Sequence, residues 1–224
     1  MAITNYANLQ TAILYRLGNR NNATLADKVP EFIASWEAAM NRRLKTADME
    51  ATATLTSTAN VDTISLPTGF VMMRRLRLRE LDSPPYRYTD VWPVALIGDK
   101  VQFSSGRPQN ISIQGSKIVL KPTPSKAWTL IADYYARFTP LSDAAPTNWI
   151  LDDNQDAYEF GATAYGYLST GAIARYREWV QLAFTVIEEI NEYDRKLRFT
   201  NNKARTDVAA MSTRQGRYDV RTDN

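Results

Sequence analysis

Apolar side chains recur at helical spacing in two stretches near the start of the chain. Leu9, Ile13 and Leu17 mark the first stretch, and Gly18 follows it as the residue type favoured just beyond a helix C-terminus. The second stretch carries a wider apolar stripe, formed by Val29, Phe32, Ile33, Trp36, Ala39, Met40 and Leu44. Both stretches therefore predict amphipathic helices, which should pack against each other as an antiparallel pair.

The start and the polar side of the second helix can also be predicted. Thr24 is suited to cap it, with Asp27 three residues later in the first turn. Pro30 is expected to kink its first turns. Glu37 is expected beside the apolar stripe, on the polar flank of the helix.

After Glu50 the pattern changes to Thr-rich, β-branched segments that favour a pleated backbone. Residues 70–80 then alternate between long apolar and basic side chains. One face of this strand is predicted to carry Met73, Arg75, Arg77 and Arg79. The other face is predicted to carry mostly Met72, Arg74, Leu76 and Leu78.

A β-hairpin is predicted from Asn110 to Lys121, with its turn at Gly115 and Ser116. The register then pairs Gln114 with Lys117, Ile113 with Ile118 and Ile111 with Leu120. This register puts the aliphatic side chains on one side of the hairpin. The next strand is predicted to carry on one face Trp128, Leu130, Tyr134 and Phe138. Trp92, beside Pro93, is expected near a connection.

Helical periodicity returns after Asp152, where several acidic residues favour a helix N-terminus. Ala157, Gly161 and Ala164 in that helix leave room for another helix to approach closely. A last helix is predicted from Ile173 to Arg198 and would be about 39 Å long. Its inward stripe is predicted to consist of Ile173, Tyr176, Val180, Phe184, Ile187 and Leu197. Such length suggests that part of the helix lines a neighbouring subunit.

A polar segment from Thr200 to Asn224 follows the last helix. It has few aliphatic side chains, so burial alone would not offset the entropy lost when it orders. We therefore expect it to need a partner, with Val208, Met211, Tyr218 and Val220 as its apolar anchors.

Composition narrows the functional classes. The 224 residues include neither His nor Cys, which removes disulfides, thiolate nucleophiles, imidazole bases and Cys/His zinc sites. No phosphate-binding loop rich in glycine occurs, and no cofactor is expected. The formal net charge is only +3, so attraction to nucleic acid would have to come from local patches or from repetition in an assembly. No secretory signal or long apolar run is apparent, and we expect a cytosolic product without a membrane partner.

The whole arrangement suggests a family. The helix order, the segment ISLPTGFVMMRRLRL, the hairpin leading to KPTP and the paired C-terminal helices with a polar tail resemble the head-to-tail adaptor proteins of tailed bacteriophages. The resemblance implies an α+β fold in which an antiparallel helical bundle carries an inserted β-rich subdomain and an extended C-terminal tail. It also implies a ring, expected to be a dodecamer, that docks on the portal, extends the DNA channel and receives tail or nozzle proteins.

The resemblance divides the chain into four parts. Residues 1–50 and 141–199 would form the bundle, 51–140 the β-rich subdomain and 200–224 the portal-docking tail. The tail residues expected at the portal are Val208, Met211, Arg214, Arg217, Tyr218, Val220 and Arg221. The protein would lie at the head–tail junction of the virion after assembly in the host cytoplasm.

Arg75, Arg77 and Arg79 have two interpretations. They can form a solvated sheet surface whose aliphatic stems pack, or they can contact a tail protein or, in the lumen, the phosphates of the transiting genome. Any contact with DNA is expected to be transient, non-specific and sensitive to salt.

Two other functions remain open. A nucleic-acid-binding module would need a basic recognition helix or a stacking sheet, whereas these helices have mixed charge. A glycoside hydrolase would use carboxylates from Asp152, Asp153, Asp156 and Glu159 or from Glu188, Glu189 and Glu192. Helix-dipole stabilisation and a solvated helix face beside Arg195 and Lys196 explain these acids more simply, so the sequence favours a structural protein over an enzyme.

Overall fold

A computed structural model describes residues 3–18, 23–81, 84–93 and 105–198, which form a mixed α+β fold. The helices are α1 (Tyr6–Arg16), α2 (Ala23–Ala26), α3 (Val29–Arg43), α4 (Trp149–Asp153), α5 (Gln155–Ser169) and α6 (Ile173–Arg198). A 3₁₀ turn spans Ala47–Met49. The strands are β1 (Glu50–Thr56), β2 (Thr63–Ser65), β3 (Phe70–Arg79), β4 (Tyr88–Pro93), β5 (Asn110–Gln114), β6 (Lys117–Lys121) and β7 (Thr129–Ala136).

Helices from both ends of the described chain share one hydrophobic core. Helix α5 lies against α1, α3 and α6, and the apolar stripe predicted for α3 is buried along its whole length. Helix α1 buries Leu9 and Ile13 and ends before Gly18, whose φ of +73° suits glycine at a helix C-terminus. The sequence pattern therefore identified these core residues correctly.

The N-terminus of α3 differs from the sequence prediction. Thr24 lies inside the short helix α2, so the prediction that it caps α3 was wrong. Lys28 precedes α3 and makes no side-chain capping bond. Pro30 lies in the first turn of α3, where backbone N–H groups make no hydrogen bond within the helix. Proline therefore removes no helical hydrogen bond at this position, and the expected kink has no cause.

The helical region before α5 also begins earlier than predicted. The Asn148 side chain caps α4, because its Oδ1 accepts a hydrogen bond from the backbone N of Leu151 at 3.0 Å. Asp152 and Asp153 therefore belong to α4, and Asp156 lies in the first turn of α5. The acidic residues thus predicted the correct region for a helix start, but the residue that caps the first helix there is Asn148.

The small residues of α5 allow α3 to approach closely, as predicted. Gly161 faces the indole ring of Trp36, which is fully buried. A Cβ atom placed on Gly161 would lie only 1.9 Å from Cε2 of that ring. The largest buried side chain of α3 thus occupies space that exists because α5 carries no side chain at this position.

Helix α6 has the predicted bounds, but its predicted inward stripe is partly wrong. Its buried residues are Ala183 and Ile187, while Ile173 is 46% exposed and Leu197 is 62% exposed. Helix α6 has 26 residues, whereas its main partner α5 has 15. Because only three residues connect the end of α5 to the start of α6, the excess length of α6 lies at its C-terminal end, where Leu197 is found.

The seven strands have the spatial order β1-β7-β3-β4-β5-β6-β2, and every neighbouring pair is antiparallel except β4 and β5. The β5–β6 hairpin has the predicted register, including Ile113 opposite Ile118, and Gly115 in its turn has a φ of +57°. Ile118 is fully buried, but Ile113 at the tip is 44% exposed. The aliphatic face of the hairpin therefore continues beyond the core.

Strand β3 contains two irregularities that the alternation did not predict. Its register against β7 shifts between Phe70 and Met72 and again between Met73 and Arg75. At the second shift, β3 has one more residue than β7. The β3 residues before this shift therefore lie on the opposite face from the one that regular alternation predicts. Met73 consequently packs against the sheet core with Leu76. The prediction that it shares a face with the arginines was wrong.

Strand β7 joins the sheet core to the helical core. Tyr134 is buried with the sheet residues Leu76, Leu78 and Leu130, whereas Tyr135 is buried among the helices. Alternation along β7 produces this arrangement. Phe138, just beyond the strand, also lies in the helical core, so its predicted place on the face of Tyr134 was wrong.

Glu37 is buried, although the sequence placed it on the polar flank of α3. Its Oε1 accepts hydrogen bonds from the backbone N of Leu141 and the hydroxyl of Tyr158, both at 2.8 Å. The Asn148 Nδ2 donates to the Tyr158 oxygen at 2.7 Å and to the Thr139 carbonyl at 2.9 Å. This network fixes the segment that leads from the sheet back to the helices.

Replacing Gly161 by Ala should destabilise the protein, because the new methyl group overlaps the buried Trp36 ring. Overpacking of this kind costs about 1–3 kcal/mol, which exceeds the gain of about 1 kcal/mol that Ala brings to a helix interior. Urea unfolding of the two proteins measures the difference.

Gly166→Ala is the matched control on the same helix. Its new Cβ would meet the end of the Leu17 side chain at 2.6 Å, and this side chain can rotate. Gly166→Ala should therefore cost less than Gly161→Ala. Equal unfolding free energies for the two variants would contradict the proposed role of the Trp36 contact.

Glu37 should make stability depend on pH. Burial raises the pKa of Glu37, and the hydrogen bonds from Leu141 and Tyr158 oppose this rise. The pKa of Glu37 in the folded protein is therefore above its unfolded value of about 4.3. Protonated Glu37 contributes fully to stability below about pH 4.3, and this contribution is lost as the pH rises through the folded pKa. Glu37→Gln should remove this loss, so the variant should gain stability relative to the parent between acidic and neutral pH. A difference that stays constant across this range would contradict the assignment.

Candidate functional site

Three arginines lie on the face of β3 opposite the sheet core. Leu76 and Leu78 are buried, whereas Arg75 is exposed and Arg77 and Arg79 are partly exposed. The alternation predicted from the sequence is correct for this half of the strand. It sets a row of guanidinium groups beside β4 on one side and β7 on the other.

Each of the first two arginines meets a carboxylate of a neighbouring strand. Arg75 donates from Nε and Nη2 to the two oxygens of Asp90 on β4, at 2.6 and 3.0 Å. Arg77 donates from Nη2 to both oxygens of Asp133 on β7, at 2.8 and 3.1 Å. The Thr52 hydroxyl on β1 also donates to Asp133, at 2.9 Å. These bonds tie four strands together through their side chains.

Two tyrosine rings, one at the start of β4 and one just before it, cover part of the row. The Arg79 guanidinium lies 5.0 Å from the ring centroid of Tyr86, and that of Arg77 lies 5.5 Å from the ring centroid of Tyr88. Arg79 also donates from Nη2 to the Thr129 hydroxyl at 3.2 Å. Cation–π contacts and hydrogen bonds thus hold these side chains in defined positions.

Pairing within the chain sets the electrostatic character of this face. The hydrogen bond between Arg75 and Asp90 lowers the pKa of Asp90 and raises that of Arg75, so both groups stay charged at neutral pH. Positive and negative groups alternate along the surface. A face of this kind has a weaker net field than the sequence RRLRLR suggests.

A groove of about 970 Å³, which the sequence did not reveal, adjoins this face. Within the described ranges, strand β4 pairs with β3 from Leu76 to Arg79 and with β5 at Asn110 and Ile111. The groove lies where the remaining parts of β3 and β5 face each other, and its lining includes Trp92. Trp92 was expected near a connection, and it is the second-last residue of β4, where it is 66% exposed.

A comparison with protein-family models matches residues 4–215 to the SU10 adaptor protein family. The chain belongs to this family of bacteriophage head-to-tail adaptors. The resemblance drawn from the sequence is thereby confirmed. A comparison with curated individual proteins gives no match.

Membership of this family indicates that the adaptor is a structural protein of the phage head–tail junction. Within the ranges that the structure describes, no helix is long and apolar enough to cross a membrane.

Several carboxylates that were weighed for glycoside hydrolysis are engaged in other contacts. Glu159 accepts from Arg16 Nε at 2.6 Å, and Glu192 lies 3.1 Å from Lys196 Nζ. Asp156 accepts from the backbone N of Ala157 at 2.9 Å. The contacts of Asp156 and Glu192 match the simpler explanations given for the acidic residues, namely helix-terminus stabilisation and a solvated helix face. Glu159 instead pairs with a residue of α1, which neither explanation included.

The residues predicted for portal docking lie outside the described part of the adaptor. They are Val208, Met211, Arg214, Arg217, Tyr218, Val220 and Arg221. Among the predicted contact residues, the structure therefore places only Arg75, Arg77 and Arg79.

The Arg77–Asp133 pair should contribute to the stability of the free adaptor. Both side chains are about a quarter exposed, and pairs of this kind are worth up to about 1 kcal/mol. A double-mutant cycle of Arg77→Ala and Asp133→Ala in urea unfolding should give a coupling energy of this size. The matched cycle of Arg77→Ala with Asp143→Ala, whose residues share no contact in the described structure, should give none. Equal coupling in the two cycles would contradict the pairing.

Proposed function

We propose that the adaptor forms a ring, expected to be a dodecamer, which docks on the portal and extends the DNA channel towards the tail. The single observation that carries this proposal is the family match, which covers nearly the whole chain. In this proposal the adaptor performs no chemistry. Its partners are other copies of itself, the portal protein and the tail or nozzle proteins.

Features of the fold support a role in assembly. Large apolar side chains are exposed at both ends of α6 and beside the sheet groove, among them Ile173, Leu197 and Trp92. Exposed apolar groups that lie together, as Trp92 and Ile113 do on the sheet groove, favour contact with other proteins. Small contacts that repeat around a closed ring add up to strong binding, because each further contact is made within an assembly already formed.

We propose that residues 200–224 are the portal-docking segment. This segment has five basic and three acidic residues and a few separated apolar side chains. Such a composition gives little burial within one chain and suits an extended segment that gains order on another protein. The four-part division of the chain remains part of the proposal, with 1–50 and 141–199 as the helical part and 51–140 as the β-rich part.

Contact with DNA in the lumen is proposed to be weak. Arg75 and Arg77 already bind Asp90 and Asp133, so phosphate groups would have to compete with carboxylates of the same chain. Weak and salt-sensitive contact is suited to a channel through which the genome must pass. We propose the same face as a contact for tail proteins, which can pair with its alternating charges.

Deleting the residues after Asn201 should leave the folded core intact and abolish docking to the portal. The deletion removes the proposed anchors but none of the described helices and strands. A pull-down of the deletion variant with purified portal measures docking, and thermal unfolding measures the integrity of the core.

A composition-matched control uses the full chain with residues 202–224 in scrambled order. The scrambled segment keeps the charge and length, so it should bind the portal only as far as non-specific attraction allows. Docking of the deletion variant at the level of the parent chain would contradict the proposal.

A further inference from the structure

A second groove, of about 560 Å³, lies in the helical part of the structure. Its walls are the C-terminal half of α6, the start of the α4–α5 region and the 3₁₀ turn after α3. Its apolar lining includes Trp149, Val186 and Ile190. Tyr193 and Leu197, at the end of α6, are 67% and 62% exposed along the same groove.

Carboxylates surround this apolar floor. Asp194 already binds Arg198 at 2.7 Å and accepts from the backbone N of Ala47 at 2.9 Å. The other acidic groups of the lining are Asp48, Asp153, Asp156 and Glu189. Among the described residues none of these four has an ion-pair partner within 4.0 Å, and the described lining contains no Lys or Arg. The groove therefore suits a segment that carries basic groups and small apolar anchors.

The chain itself contains such a segment just beyond α6. Lys203 and Arg205 are followed by Val208 and Met211, with Asp207 as the only acidic residue of this stretch. Asn201 and Asn202 precede it, and asparagine favours chain reversal because it tolerates a left-handed backbone. A reversal there would direct the following residues back along α6 towards the groove.

The dimensions agree with this path. The groove follows α6 from Val186 to Leu197, which is about 17 Å of helix. Five or six extended residues span about 17–20 Å, so residues 203–211 are long enough to cover it. Because only four residues separate the end of α6, which lines the groove, from Lys203, the effective concentration of the segment at the groove is in the millimolar range, well above that of a second copy in dilute solution.

We propose that residues 203–211 of the free adaptor bind this groove of their own copy, with Lys203 and Arg205 beside the carboxylates and Val208 and Met211 on the apolar floor. The groove then holds part of the segment that the proposed function assigns to the portal. Docking on the portal would require exchange of one site for the other. Binding to the groove itself does not depend on the portal.

Zero-length crosslinking of the full-length protein tests this proposal. A carbodiimide joins a lysine to a carboxylate only when the two groups are in contact. We expect a link from Lys203 to one or more of Asp153, Asp156 and Glu189, identified by mass spectrometry. The ion pair of Lys121 with Asp62, at 3.2 Å, supplies a positive control in the same sample.

Isotope mixing identifies the copy that supplies the segment. In an equal mixture of ¹⁵N-labelled and unlabelled protein, the expected link joins peptides of the same label only. Mixed-label links would show that a second copy occupies the groove and would overturn the proposal. Formation of the Lys121 link without any Lys203 link would overturn it as well.

Variants of the segment test the apolar contacts. Val208→Ser together with Met211→Ser should reduce the Lys203 link severalfold, because both anchors lose apolar burial. Val220→Ser lies outside the proposed stretch and is the matched control, which should leave the link unchanged. An equal reduction in both variants would contradict the assigned stretch.

Added portal protein separates this inference from the proposed function. If the portal takes up the segment, the Lys203 link should decrease as portal is added. A link that forms in the free adaptor and is unaffected by portal would support binding to the groove and would contradict docking of this segment on the portal.

Discussion

The helical part of the adaptor depends on two adjacent residues of α3 that face different partners. Trp36 packs its ring against Gly161 of α5, where a side chain of any size would collide with it. Glu37 binds Leu141 and Tyr158, and so connects α3 to the segment returning from the sheet and to α5. The first contact sets how closely two helices approach, and the second fixes where the sheet joins them. Together they hold in one core segments that are more than 100 residues apart in the sequence.

Much of this fold could be predicted because it follows from local periodicity. The buried stripe of α3, the bounds of α6 and the register of the β5–β6 hairpin are each determined by spacing within one or two neighbouring segments. Other features arise from contacts between distant segments. Glu37 can be buried because Tyr158 and Leu141 donate hydrogen bonds to it. Leu197 is exposed because α5 is shorter than α6. The extra residue in β3 before Arg75 depends on pairing with β7, so alternation alone assigned Met73 to the wrong face.

The candidate site shows the same limit. The sequence identified a row of arginines but not the carboxylates that bind them, because Asp90 and Asp133 come from two other strands. This pairing changes the interpretation of the row from a basic patch to a surface of alternating charge. Neither groove could be predicted, since each is lined by segments that are distant in sequence. The family resemblance rested on the arrangement of the whole chain, and the family match likewise covers nearly all of it, at residues 4–215.

The junction between β4 and β5 has a mechanical consequence. In the described part of the sheet only Trp92 with Asn110 and Pro93 with Ile111 link these strands, whereas β3 and β7 pair along most of their length. Parallel pairing is slightly less stable per residue than antiparallel pairing, so this two-pair ladder is the weakest backbone connection in the described sheet. The buried side chains of the hairpin, Ile111, Ile118 and Leu120, therefore contribute much of what holds it to β3 and β7. Strain applied to the hairpin is in this way kept from the helical core, which shares no strand with it.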